Sequence, residues 1–227
     1  MRYESVERGV FLNRPNRFVA EVEIAGRRET VHVKNTGRCR ELLLPGCEVY
    51  LSRAESPGRK TAWDLVAVRK GERLINMDSQ APNKAAEEWL CSGGFSRAVT
   101  LLKPECRYGD SRFDFYGERK NAPPFFMEVK GVTLEENGAV FFPDAPTERG
   151  IKHVRELCRC RREGYGAYLL FVIQMEGTRF FSPNDKTHPA FGEALRKAAA
   201  EGVELIAREC RVAPDSMEIA GPVEIRL

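Results

Sequence analysis

Glu128 and Lys130 stand two residues apart in the run Pro124-Phe125-Phe126-Met127-Glu128-Val129-Lys130-Gly131-Val132, and Asp114 lies upstream between Phe113 and Phe115. In a β-strand, residues two apart share a face, so Glu128 and Lys130 point the same way. Their neighbours are those of an interior strand, where charge is costly unless it is paired or bound to metal. Two strands joined by a loop of this length can pair as a hairpin, which brings Asp114 to Glu128 and Lys130. Two converging carboxylates form a hard oxygen site suited to Mg²⁺ or Mn²⁺. Such a metal polarises a phosphoryl group and acidifies a bound water. A lysine beside it can orient that water or stabilise charge growing on the phosphate. A buried ion pair without metal accounts for the same three residues.

The segment Phe142-Pro143-Asp144-Ala145-Pro146-Thr147-Glu148-Arg149-Gly150-Ile151-Lys152-His153 adds to the metal reading. It enters a helix expected over 146–163, with Ile151, Val154, Leu157 and Cys158 on one face. Thr147, Arg149, Lys152 and His153 fall in or near its first turns, where backbone N–H groups and the helix dipole favour anions. A solvated basic face explains the later Arg155, Arg159, Arg161 and Arg162 equally well. His153 either orients a phosphate or satisfies a core hydrogen bond.

The elements that position these residues divide the chain near Ala81-Pro82-Asn83. Residues 1–81 read as short strands at 17–25, around 31–33, and at 47–53, 61–69 and 72–77, separated by Pro45-Gly46, Ser56-Pro57-Gly58 and Lys70-Gly71. That pattern suggests a small OB-like barrel. Residues 82–227 read as a helix over 84–91 capped by Asn83, strands at 99–108, 111–116, 125–133 and 139–142, and the helix over 146–163. Strands at 165–174 and 178–181, a helix over 189–201 and a last strand at 203–207 complete an α/β domain with a mixed sheet. Charge follows the same division: 15 Lys/Arg stand against 11 Asp/Glu in residues 1–81, and 21 against 22 in the remainder. The basic excess in the first part suits a polyanion, as does an ordinary solvated surface.

The 42% hydrophobic and 30% charged content is that of a soluble globular protein. No apolar run approaches the roughly 20 residues that span a bilayer, and the charged N-terminus lacks a signal peptide. A cytoplasmic protein without membrane association is expected. Seven cysteines, without a Cys-x-x-Cys pair, argue against a disulfide framework or a structural zinc site, Cys158-Arg-Cys160 included.

Several strings together resemble the sugar fermentation stimulation protein A family: Asn35-Thr36-Gly37-Arg38, Glu41-Leu42-Leu43, Gly109-Asp110-Ser111-Arg112-Phe113-Asp114-Phe115, Glu128-Val129-Lys130-Gly131-Val132-Thr133-Leu134, and Phe142-Pro143-Asp144-Ala145 with Thr147-x-Arg149-Gly150-x-Lys152-His153. The resemblance runs in order along nearly the whole chain. Cys39, Pro146 and Val154 depart from it at non-ligand positions. It implies an N-terminal OB-like barrel, a PD-(D/E)xK restriction-endonuclease-like α/β domain, and binding to double-stranded DNA. It aligns Asp114, Glu128 and Lys130 with the nuclease signature, and Glu87 with a further acid on the preceding helix. Arg17, Lys34, Asn35, Thr36 and Arg38 on the barrel, with Thr147, Arg149, Lys152 and His153, are the candidate nucleic-acid-binding residues.

Three functions follow as expectations. One is a Mg²⁺- or Mn²⁺-dependent nuclease using Asp114, Glu128, Lys130 and Glu87. Another, whose link to sugar (maltose) catabolism is only what the resemblance implies, is a non-catalytic DNA-binding regulator, weakly sequence-specific since no helix-turn-helix is visible. The third is a single-strand or RNA binder using barrel aromatics, for which Phe18, Tyr50 and Trp63 serve equally well as core. The oligomeric state stays open, a dimer included.

Overall fold

A computed structural model describes residues 1–35, 37, 39–54, 58–94 and 99–227. The first part contains β1 (Val6–Asn16), β2 (Val19–Ile24), β3 (Arg27–Val33), β4 (Glu48–Arg53), β5 (Trp63–Lys70) and β6 (Arg73–Asn76), in the order β3-β2-β1-β4-β5-β6. A parallel contact of β3 with β5, His32 to Asp64 and Val33 to Leu65, closes the first five strands into an OB barrel. Closure leaves those strands no free edge.

The longest barrel strand, β1, has no counterpart among the expected strands. It pairs with β4 through Val6–Val10 and with β2 from Val10 onward, slipping register twice on the way. Only Gly9 and Phe11 along it are buried, so it lacks the two-residue alternation that marks a strand in a sequence. Gly9 sits where β1 crosses the barrel; a Cβ there would meet Leu51 Cδ1 at 2.9 Å. The aromatics divide: Phe18 is 46% exposed on the β1–β2 turn, whereas Tyr50 and Trp63 are half-buried.

The second part holds α1 (Ala81–Cys91), β7 (Val99–Tyr108), β8 (Ser111–Arg119), β9 (Ala122–Val132), β10 (Leu134–Glu136), β11 (Ala139–Phe142) and α2 (Glu148–Arg162). It continues through β12 (Gly166–Ile173), β13 (Phe180–Pro183), α3 (Pro189–Ala200), β14 (Glu204–Ala213), β15 (Ser216–Pro222) and β16 (Glu224–Ile225). Its mixed sheet has the order β15-β14-β12-β9-β8-β7, with β9, β12 and β14 parallel at the centre. Every residue of β12 is buried, as expected of a central parallel strand covered on both faces. Helix α1 packs over Phe125, Met127 and Val129; α2 and α3 pack over Phe126, Leu169 and Phe171 on the other face. A four-stranded sheet, β10-β11-β13-β16, flanks the main one.

Two helix starts differ from expectation in opposite ways. Asn83 does not cap α1: the helix begins at Ala81, with Pro82 in its first turn where the missing N–H costs nothing. The Asn83 side chain is therefore free for another use. Thr147 does cap α2, its Oγ1 accepting from Gly150 N at 3.0 Å. The final strand also runs past 207, because Arg208–Ala213 continues as β14 and pairs with β15.

One hydrophobic cluster runs from the barrel interior (Val22, Leu51, Leu65) through Val140 into the sheet and α2. Polar contacts reinforce this seam. Lys70 and Arg73 both pair with buried Glu135, and the Gln174 amide donates to the carbonyls of Asn76 and Asp78. The first residues lie outside the barrel, along β15: Tyr3 N donates to Asp215 O. No helix among the described residues is long and apolar enough to cross a membrane, and all seven cysteines are free thiols.

Candidate functional site

Asp114 occupies an irregularity in β8. Phe113 and Tyr116 pack on the α2 side of the sheet and Phe115 on the α1 side, so the alternation of faces slips by one residue at Asp114. The facing strand slips at the same level, where Glu105 takes a φ of +54°. Pairing between β8 and β9 begins only at Phe115 and Met127. Beyond that pair, the Asp114 carboxylate replaces the ladder: its Oδ2 accepts from Val129 N at 2.7 Å. Its Oδ1 accepts from Asn83 Nδ2 at 2.8 Å. The distorted strand thus turns a carboxylate to β9, and α1 fixes it there.

Glu128 is 3% exposed on the α2 side of β9. Its Oε1 accepts from Lys130 Nζ and from His153 Nδ1. Arg149 Nε donates to His153 Nε2 at 3.4 Å, which selects the tautomer carrying its proton on Nδ1. The other oxygen, Glu128 Oε2, is buried without a hydrogen-bond partner. An orphaned carboxylate oxygen in an interior is costly and calls for a ligand.

The two carboxylates feel each other. Burial and the Glu128 charge push the Asp114 carboxyl above its ordinary range, against the Val129 N–H and Asn83. Burial works the same way on Glu128, but the His153 hydrogen bond and the Lys130 charge outweigh it and hold its carboxyl below the usual range. The donor chemistry suits a hard cation: Glu128 Oε2 lacks a partner, and the Asp114 carboxyl is near enough to feel the Glu128 charge. Among the described residues, no group of three or more His, Cys, Asp or Glu could hold a metal. Two carboxylates leave the rest of a coordination shell to water and phosphate, as Mg²⁺ sites commonly do.

The remaining expected residues divide. Arg149 and Lys152 are exposed on the first turns of α2, Lys152 Nζ donating to Asp110 O at 3.0 Å. His153 is buried and holds Glu128, so it is not free to face a phosphate. Thr147 serves as the helix cap. Glu87 is exposed one turn beyond Asn83, and the α1 residue that reaches Asp114 is Asn83. Lys34 pairs with buried Asp78 at 2.8 Å, and Asn35 braces its loop by donating to Met77 O and accepting from Gly37 N. Arg17 is exposed, with its guanidinium 4.8 Å from the Phe18 ring centre. Thr36 and Arg38 lie outside the described residues. Asn83 was the residue to find: Pro82 in a first helical turn moves the helix start upstream of it.

Residues 80–216 match the family model described as the sugar fermentation stimulation protein RE domain, and residues 12–77 match the SfsA N-terminal OB domain. The chain belongs to the sugar fermentation stimulation protein family. It is 53% identical to the sugar fermentation stimulation protein homolog of Ruminiclostridium cellulolyticum over the full length of both chains. It is 54% identical to the homolog from Desulfitobacterium hafniense strain DCB-2, covering all of this chain and 99% of that one. In three dimensions it resembles the SfsA of Pyrococcus furiosus, solved in complex with Ca²⁺, at 28% identity and a TM-score of 0.89, covering 100% of this chain and 98% of the other.

Proposed function

We propose that this member of the family is a divalent-metal-dependent nuclease of the PD-(D/E)xK type that acts on DNA. The observation that carries the proposal is the buried, unpartnered Oε2 of Glu128 beside the raised carboxyl of Asp114. Asp114 and Glu128 would hold Mg²⁺ or Mn²⁺, which supplies Lewis-acid polarisation of a phosphoryl oxygen and a more acidic bound water. Lys130 gives a partly exposed ammonium where charge grows on the phosphate. His153 and Lys130 together fix the rotation of the Glu128 carboxylate, leaving Oε2 to face the cation. Arg149 and Lys152 attract the phosphate backbone at the start of α2. The Ca²⁺ complex of the Pyrococcus furiosus relative supports a hard-cation site in this family, because Ca²⁺ and Mg²⁺ share a preference for oxygen ligands.

A non-catalytic DNA-binding regulator of sugar catabolism is the second reading, favoured by Lys130 and His153 already satisfying one oxygen of Glu128 without metal. Incubating the protein with plasmid, single-stranded DNA and RNA in Mg²⁺, Mn²⁺ or chelator separates the two. A nuclease cleaves only with metal and loses cleavage in Lys130→Ala. A regulator retains duplex DNA in a salt-dependent way and cleaves nothing.

A further inference from the structure

Two clefts meet where the barrel joins the C-terminal end of β9. One, about 370 Å³, lies at the C-terminal end of β9 and is lined by Asn35, Gly131, Thr133, Asp144 and Thr147. The other, about 470 Å³, is lined by Arg14, Asn16, Arg17 and Arg40 on the barrel. Gly37 and Ala145 belong to both, so the clefts form one groove from the C-terminal end of β9 to the β1–β2 turn. Next to Arg17, which lines its barrel end, stands Phe18, the most exposed aromatic of the barrel, with the Arg17 guanidinium 4.8 Å from its ring centre. Its exposure is built in. Asn16 Oδ1 accepts from the backbone N–H groups of Phe18 and Val19 at 2.8 and 3.2 Å, and Arg14 bonds the carbonyls of Arg17, Asn35 and Gly37. A stiff turn thus holds an aromatic ring out in solvent beside an arginine that lines the cleft.

We infer that this groove binds a single-stranded nucleic-acid segment, with an unpaired base stacked on Phe18, so that the preferred substrate is a duplex carrying a single-stranded tail. The inference rests on the nucleic-acid reading above and narrows its substrate class. Clefts of these volumes are in the range of small-ligand pockets and suit single nucleotides. Arg17 and Arg40 supply the positive charge that tracks phosphates, and an aromatic face takes any base. Asp144, at the seam between the clefts, disfavours a phosphate there and suits a base amine or sugar hydroxyl.

The test is fluorescence anisotropy in chelator with three labelled DNAs: a single strand, a tailed duplex and a blunt duplex. The wild-type protein should bind the tailed duplex at least about tenfold more tightly than the blunt one, since one stacked base contributes roughly that much. Phe18→Ala should bring that ratio close to one, and Phe18→Trp should preserve it. Phe18 is exposed, so neither change threatens the fold. Equal wild-type affinities, or a ratio untouched by Phe18→Ala, would overturn the inference. A ratio that holds without metal-dependent cleavage leaves the groove standing and removes the nuclease. Cleavage of blunt duplex with a ratio of one does the reverse.

Discussion

His153 Nδ1 donates to Glu128 Oε1, tying the first turns of α2 to the middle of β9. The bond takes one carboxylate oxygen and leaves the other buried without a partner. Partners of this kind that orient a metal ligand change metal affinity by about 10–100-fold when removed. His153→Ala should therefore weaken Mn²⁺ binding by about that factor in titration calorimetry. His153→Asn, whose amide N–H can reach the same oxygen, should recover much of it. Equal Mn²⁺ affinity in all three proteins would reduce His153 to a packing role.

Asp114→Asn removes one of two interacting charges while keeping an oxygen for Val129 N, with the Asn83 amide reversed so that its oxygen accepts from the new NH2. In chelator the variant should melt about 2–4 °C higher, the shift that roughly 1 kcal/mol makes in a domain of this size. The sign follows from the raised Asp114 carboxyl. Its charged form costs stability above the folded pKa, and that cost fades as pH falls through it. The gap between variant and wild type should thus narrow as pH falls through the raised Asp114 value. A variant less stable than wild type at every pH contradicts the charge conflict.

Much of this geometry is legible in the residues, and the exceptions have physical causes. Glu128-x-Lys130 could be placed because β9 alternates regularly, and Thr147 because its hydroxyl precedes a helical run. Strand β1 was invisible because a strand that curves between two partners buries few of its side chains. Asn83 was assigned to a cap, its commonest use, while Pro82 had already moved the helix start upstream. His153 was ambiguous between phosphate and core because its partner, Glu128, is distant in sequence. The slip of faces at Asp114 is set jointly by β7 and β8 and has no local signature.

Glu135 joins the two parts of the molecule through Lys70 and Arg73, and accepts from the Gly138 N–H of its own hairpin. Burial acts to raise its carboxyl, and these partners outweigh burial and hold it low. Its contribution is present above the ordinary carboxylate range and is lost as pH falls through its depressed value. Glu135→Gln should destabilise by about 1–3 kcal/mol at neutral pH, the cations being half-exposed. Urea melts should show the variant and wild type converging under acid. A constant difference across pH would exclude the ion pairs as its source.

Gly131 lies between α1 and the seam. A Cβ there would meet Gln174 Oε1 at 2.5 Å and Pro82 Cγ at 2.7 Å. Gly131→Ala should cost about 1–3 kcal/mol through overpacking, by displacing a glutamine whose amide holds the barrel. Gln174→Ala in the same chain should relieve the overlap, giving a double-mutant loss smaller than the sum of the single losses. Additive losses would place the strain elsewhere.

Asp114, Glu128 and Lys130 are proposed to form a metal-dependent phosphodiester-cleaving site. Plasmid cleavage by wild type and Lys130→Ala, with Mn²⁺ or with chelator and with folding checked by circular dichroism, tests it most directly. Cleavage by wild type in Mn²⁺ alone, reduced at least about a hundredfold in the folded variant, is the expected result. Equal cleavage by both proteins, or none by wild type with any metal, would contradict it.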